Sequence, residues 1–255
     1  MFLIGDHDLA VSFDRVANIY DATRWSGVPP EIMEKLLNTM KEAFGACQKI
    51  LDIGIGTGRF AQYFIDSGFY VVGVDISLSM MAKAREKGVN VLVRADAHRM
   101  PFRDGSFDAT IMIHLLHLVH DWKRVVGEVG RVTGRIVVSE VGQAEGFRPR
   151  QEYLRLRKEM GHPLNRLNEA ELGLRKLVPP KVLARVGDYW SDVAADDAIT
   201  QLEKEGFAIS WDLPKEIHRA VIDRLRSDYG GKLLRRHDVI EMAGWVPEQF
   251  LNLRV

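Results

Sequence analysis

The feature that most constrains this chain is an apolar run that ends in glycines at alternate positions, Leu51-Asp52-Ile53-Gly54-Ile55-Gly56-Thr57-Gly58. Lys49–Ile53 reads as a strand. Gly58–Ser67 then sets Phe60, Ala61, Phe64 and Ile65 on one helical face, and Gly68 stops it. Glycines between a strand and a helix permit a tight turn and let a ligand approach the backbone. A second run, Tyr70–Val74, ends at Asp75, 21 positions after Gly54. That spacing suits a carboxylate that accepts both hydroxyls of a ribose.

The alternation continues. Ser77 caps a predicted helix through Lys87, and Gly88 closes it. Val89–Val93, Phe107–Ile113 and Arg135–Ser139 read as further strands, with a helix at Asp121–Val129. Strands joined by crossovers of this length form a doubly wound, mostly parallel α/β sheet. Beyond Glu140 the pattern turns helical, at Arg150–Glu159, Asn168–Leu177, Ala195–Glu205 and Lys215–Asp228. Val182–Trp190 is preferred over Ile209–Leu213 as the sixth strand, and Gln249–Val255 reads as the last. The expected organisation is one domain over 1–255. Its core is 1–140 with an N-terminal helical segment, and helical insertions at 141–181 and 191–248 form a lid over an acceptor pocket.

Composition narrows the function. Lys+Arg and Asp+Glu both number 35, so the formal charge is zero, which disfavours a role in gripping nucleic acid. One cysteine, Cys47, excludes a disulfide framework within the chain and points to a reduced, cytoplasmic setting. No apolar run reaches the ~18 residues of a membrane span, and Asp6 and Asp8 argue against a signal peptide.

A dinucleotide fingerprint needs its third glycine where Arg59 stands; here Gly58 comes one residue early. Asp52 would repel a pyrophosphate but suits a cationic amine. Both features favour a zwitterionic amino-acid nucleoside. Here the chain resembles a known family. Leu51–Phe60 is similar to the first motif of class I S-adenosylmethionine (SAM) methyltransferases, and Val71–Asp75 with Ser77–Met81 to the second. Asp96-Ala97 and Met100–Asp108 resemble the third-strand acid and the LPF-x-D-x-SFD stretch of their small-molecule branch, which includes ubiquinone and menaquinone C-methyltransferases. Phe13–Arg15 and Tyr20–Arg24 resemble that branch's N-terminal signature.

The resemblance implies a Rossmann-like seven-stranded sheet with an antiparallel last strand, and SAM as cofactor. It places Asp52, Gly54, Gly56 and Gly58 around the methionine moiety and Asp75 on the ribose. Ile76 and Met80 would line the adenine pocket, and Asp96 would accept from the adenine amine beside Ala97. Tyr20 and Arg24 would close over the cofactor. His114, at the end of the fourth strand, is a base or a cofactor contact; His117 and Glu140 are further candidates facing the acceptor. No carboxylate or cysteine joins these histidines in a convincing metal set.

The expected function is methyl transfer to a small molecule through O, N, S or activated C. An Asn-Pro-Pro-aromatic tetrad is absent after the fourth strand, where His114-Leu115-Leu116-His117 stands. RNA or protein is the runner-up acceptor. A nicotinamide-dependent oxidoreductase and a non-catalytic SAM-binding protein are the alternatives.

Overall fold

The computed structural model describes residues 13–23, 28–164, 170–204 and 208–253. In chain order, α1 (Tyr20–Thr23) and α2 (Pro30–Phe44) precede β1 (Lys49–Ile53), α3 (Arg59–Asp66), β2 (Tyr70–Asp75), α4 (Leu78–Glu86) and β3 (Leu92–Arg94). Then come β4 (Phe107–Met112), α5 (Trp122–Val132), β5 (Thr133–Gly146), α6 (Pro149–Glu159) and α7 (Ala170–Leu177). The described chain ends with β6 (Val182–Ala194), α8 (Ala195–Glu203), α9 (Lys215–Tyr229), β7 (Leu233–Trp245) and a 3-10 segment at Pro247–Leu253.

The strands form one seven-stranded sheet in the order β3-β2-β1-β4-β5-β7-β6. β1 to β5 run parallel, and β7 is antiparallel to both its neighbours, as expected from the sequence. Ile53 pairs with both Val74 and Met112, so the central strands end level with one another. Their carboxyl ends make the crevice in which open α/β sheets bind ligands.

Each sheet face buries its own core. On one face α2 and α3 contribute Leu36, Met40, Phe44 and Phe64 against Ile50, Ile111 and Val138. On the other, Val125, Val129 and Val132 of α5 pack with Leu51, Val137 and Trp245. Helices α6, α8 and α9 have a third core of their own, including Tyr153, Leu156, Ile199, Val221 and Leu225. Arg157, 2% exposed, ties this unit together by donating to the His162 and Ile209 carbonyls and to Asp212. The loop before α9 reaches the N-terminal segment, where the Trp211 and Phe13 rings lie 5.1 Å apart.

Three expectations need correction. The third strand starts at Leu92, not Val89. Gly88 (φ +89) donates to the Arg85 carbonyl and Val89 to that of Ala84, so Val89 is the apolar residue that closes the helix C-terminus. The last strand is Leu233–Trp245, and the segment expected as strand, from Gln249, lies largely in the 3-10 turn that packs Phe250 on α5. The span 191–248 is therefore helical only in part, because it contains the tail of β6 and all of β7. Within 141–181, β5 runs on to Gly146, and Ala170 and Leu174 of α7 pack into the α5-side core rather than with α6.

Candidate active site

Two adjoining clefts open at the carboxyl ends of the strands and share Tyr20, Gly54, Gly56, Ile113 and His114. The larger spans about 670 Å³ of space, part of it open to solvent. Its lining adds Phe13, Asp75, Ile76, Met80, Asp96, Ala97, Leu118 and Val119. The smaller adds Asp52, Thr57, Arg59 and Phe60.

The glycine turn separates two roles that the sequence leaves merged. Gly54 and Gly56 have φ +69 and +54, and a Cβ on Gly54 would stand 2.9 Å from Leu115. Both line the clefts, so the bare backbone faces the open space between the walls. Gly58 lines neither. Its φ is +74, and a Cβ there would meet Ala84 at 2.9 Å and Val89 at 3.0 Å. Gly58 therefore lets α4 pack on the turn, and its expected place around the methionine moiety is not what the geometry shows.

Asp75 accepts the Gly56 amide through Oδ2 and the Ser77 amide through Oδ1, both at 2.8 Å. Burial pushes its carboxyl up, against the pull of these amides. Each oxygen keeps a second acceptor direction for a ligand hydroxyl. Asp52 is 5% exposed, and no cation pairs with it among the described residues. Burial and the nearby Asp75 push it up to about 7. Asp96 accepts both the amide and Nδ1 of His98 on Oδ1. These bonds to His98 hold it below the usual carboxylate range against burial. The His98 ring in turn packs on His120, with centroids 4.3 Å apart.

The N-terminal segment roofs the larger cleft with Phe13 and Tyr20, whose rings meet edge to face at 5.8 Å. Two carboxylates fasten it. Asp14 accepts from the Ser77 hydroxyl (2.6 Å) and the Ser79 amide (2.9 Å) at the start of α4. Asp21 accepts from the Thr57 hydroxyl (2.6 Å) and pairs with Lys87. The sequence reading did not anticipate these anchors; the Phe-Asp and Tyr-Asp pairs were the available signal. Arg24 lies outside the described residues.

Of the three residues expected to serve catalysis, His114 alone lines the clefts. Its φ of 52 is the one positive value at a non-glycine among the described residues, a strained backbone that histidine tolerates better than most. Its Nε2 lies 3.3 Å from Oε2 of Glu140. Glu140 is 4% exposed and stands behind His114 on β5 instead of facing the clefts. His117 is held elsewhere: its amide and Nδ1 both donate to Glu171 of α7, at 3.2 and 2.8 Å. No local pattern points to Glu171, because its pairing with His117 spans 54 residues. No cluster of three or more metal-ligating side chains occurs among the described residues.

Residues 51–135 match the family described as a methyltransferase domain. The chain is similar to a demethylmenaquinone methyltransferase of Renibacterium salmoninarum, 32% identical over 52% of this chain and 58% of that one. It is similar to a second, from Beutenbergia cavernae, at 37% identity over 52% and 58%. The chain thus matches a little over half the length of these curated relatives. Among solved structures, YcgJ of Bacillus subtilis covers 83% of the chain, with 98% of its own length aligned, at TM-score 0.52 and 20% identity. The [4+2]-cyclase SpnF covers 92%, with 97% of its own length aligned, at TM-score 0.50 and 17% identity. These last two likenesses concern the fold alone.

Proposed function

We propose that this protein transfers the methyl group of SAM to a small-molecule acceptor. The observation that carries the reading is the pair of acids flanking the glycine turn, with buried Asp52 lining the smaller of the joined clefts and Asp75 the larger. A dinucleotide would bring its pyrophosphate against two carboxyls. A zwitterionic nucleoside brings an ammonium to Asp52 and ribose hydroxyls to Asp75 instead.

The residues fit such a ligand along its whole length. Ile76 and Met80 face Leu118 and Val119 across the larger cleft, an apolar slot for a planar base. Asp96 Oδ2, which neither His98 bond uses, suits an exocyclic amine. Gly54 and Gly56 bring bare backbone to the middle, and Phe13 and Tyr20 cover it. Bound SAM would supply an electrophilic sulfonium methyl. The chain's contribution is to hold the acceptor in line with the S–CH3 bond and to keep water out, so orientation supplies much of the acceleration.

A small-molecule acceptor accords with the names of the relatives and with the chain's zero formal charge. We place acceptor choice in the stretch beyond residue 135, outside the family match, where Glu140, Glu171 and the unit of α6, α8 and α9 lie. That unit, joined to the roof through Trp211 and Phe13, serves as the lid in this reading. No helix among the described residues is long and apolar enough to cross a membrane.

Calorimetry with SAM, S-adenosylhomocysteine (SAH) and NAD tests the reading. Micromolar binding of SAM and SAH without NAD supports it, and binding of NAD alone overturns it. SAH release in the presence of acceptors then separates an enzyme from a cofactor-binding protein. That step matters because SpnF puts a cyclase on the same fold.

A further inference from the structure

We propose that Glu140 is a positioning residue for His114, and that the two form a coupled proton acceptor for a methyl acceptor bearing an ionisable O–H or N–H. This rests on the methyl-transfer reading above. Two geometric facts carry it. Glu140 Oε2 is buried and has no hydrogen-bond partner among the described residues. The imidazole nitrogen 3.3 Å away belongs to His114, which lines the clefts and has the one positive φ at a non-glycine among the described residues. A buried carboxyl oxygen left without a bond costs free energy unless something uses it. A modest turn of the His114 ring completes the bond.

The protonation logic follows from the burial. Burial, with Glu171 adding to it, pushes Glu140 up to about 8. The titratable groups facing it are His114 from the loop after β4, Glu171 of α7 and Tyr189 of β6. Burial, then Asp238, push Tyr189 up to about 12, so it stays neutral near pH 8. Burial works to raise Glu171, but the bond and charge of His117 together with two backbone hydrogen bonds outweigh it and keep Glu171 low and ionised. A titration near pH 8 therefore belongs to Glu140, and the His114 ring beside it reports the change.

While Glu140 is protonated, its O–H points at Nε2 and the proton of the neutral imidazole sits on Nδ1. Once Glu140 ionises, it holds the proton on Nε2, and Nδ1 becomes the acceptor. In the transfer step the O–H or N–H bond of the acceptor breaks and its proton passes to Nδ1. The electron pair left behind forms the bond to the methyl carbon, and the pair of the broken C–S bond stays on sulfur. Thiols already ionised near neutral pH need no such base, so the pair selects for acceptors that must be deprotonated.

Nitrogen-15 NMR of the histidine rings, in the free protein and with SAH, tests the coupling without a known acceptor. His114 should show a tautomer change with an inflection near pH 8, absent in Glu140→Gln. The same variant should bind SAH within roughly threefold of the wild type. An inflection that survives in Glu140→Gln, or a His114 ring that never changes tautomer, overturns the inference. Failure of the wild type to bind SAM and SAH would instead sink the methyl-transfer reading, whatever the ring signals show.

Discussion

Asp75 accepts the backbone N–H of Gly56 at 2.8 Å, so the acid that ends β2 also fixes the glycine turn that follows β1. The residue expected to hold a ribose is thus a structural clamp as well. Asp75→Ala removes an acceptor from two amides, those of Gly56 and Ser77. It should cost about 2–4 kcal/mol of stability as well as most SAM affinity. Thermal unfolding beside calorimetry checks this. Lost affinity with an unchanged melting temperature would show that the clamp contributes nothing.

Asp52 carries a pH signature of the opposite sense to most carboxylates. Its pKa is pushed up to about 7 in the folded chain, from an ordinary value of 3.8. Between those values the folded state binds more protons than the unfolded state, so this group's contribution falls as pH rises and levels off above 7. Asp52→Asn should therefore be more stable than wild type at pH 8, by on the order of 2 kcal/mol. At pH 4 the two should be alike. The same variant should bind SAM at least about tenfold more weakly through loss of the ammonium partner. Melting curves at both pH values decide it, and a variant less stable at pH 8 would refute the buried-carboxyl account.

Gly58 and Gly68 make an internal control for the turn. Both have positive φ, +74 and +90, but a Cβ on Gly58 meets Ala84 at 2.9 Å and one on Gly68 meets nothing within 4 Å. Gly68→Ala should cost only backbone strain, about 1 kcal/mol. Gly58→Ala should add a clash with α4 and lose about 2–4 kcal/mol in all. Denaturant unfolding of both variants measures the difference. Equal losses would mean that α4 can shift freely and that Gly58 is not there for packing.

Asp14 makes its two anchoring bonds near the surface, to the Ser77 hydroxyl and the Ser79 amide. Ser77 caps α4 through the Met80 amide without it. Asp14→Ala should leave the melting temperature within about 2 °C of wild type. It should speed SAH release about tenfold, because the Phe13–Tyr20 roof loses one of its two ties. Stopped-flow displacement reads this directly, and an unchanged release rate would show that the roof does not gate the cleft.

The alternating elements of the first half were legible because each is declared locally. Gly68 and Gly88 stop their helices, Ser77 starts one, and the Gly54–Gly58 turn marks where strand meets helix. The second half was legible in its helices but not in its last strand. Leu233–Trp245 lies between β5 and β6 yet carries Arg235, Arg236, His237 and Asp238. Arg235 and His237 meet Asp192 and Asp188 on the neighbouring β6, and Arg236 pairs with Asp238 of its own strand. A charge whose partner is on another strand looks, along the chain, like a charge meant for water.

The same division holds at the site. The sequence by itself determined the fold class, the glycine turn and the strand-end positions of Asp52 and Asp75, because turn geometry and strand-end position are properties of short segments. Only the tertiary structure decided that Gly58 serves packing, that His117 is held by Glu171, and that Glu140 stands behind His114. Burial and pairing over tens of residues set those roles. A side chain's environment is fixed by what the fold brings beside it, not by its neighbours in sequence.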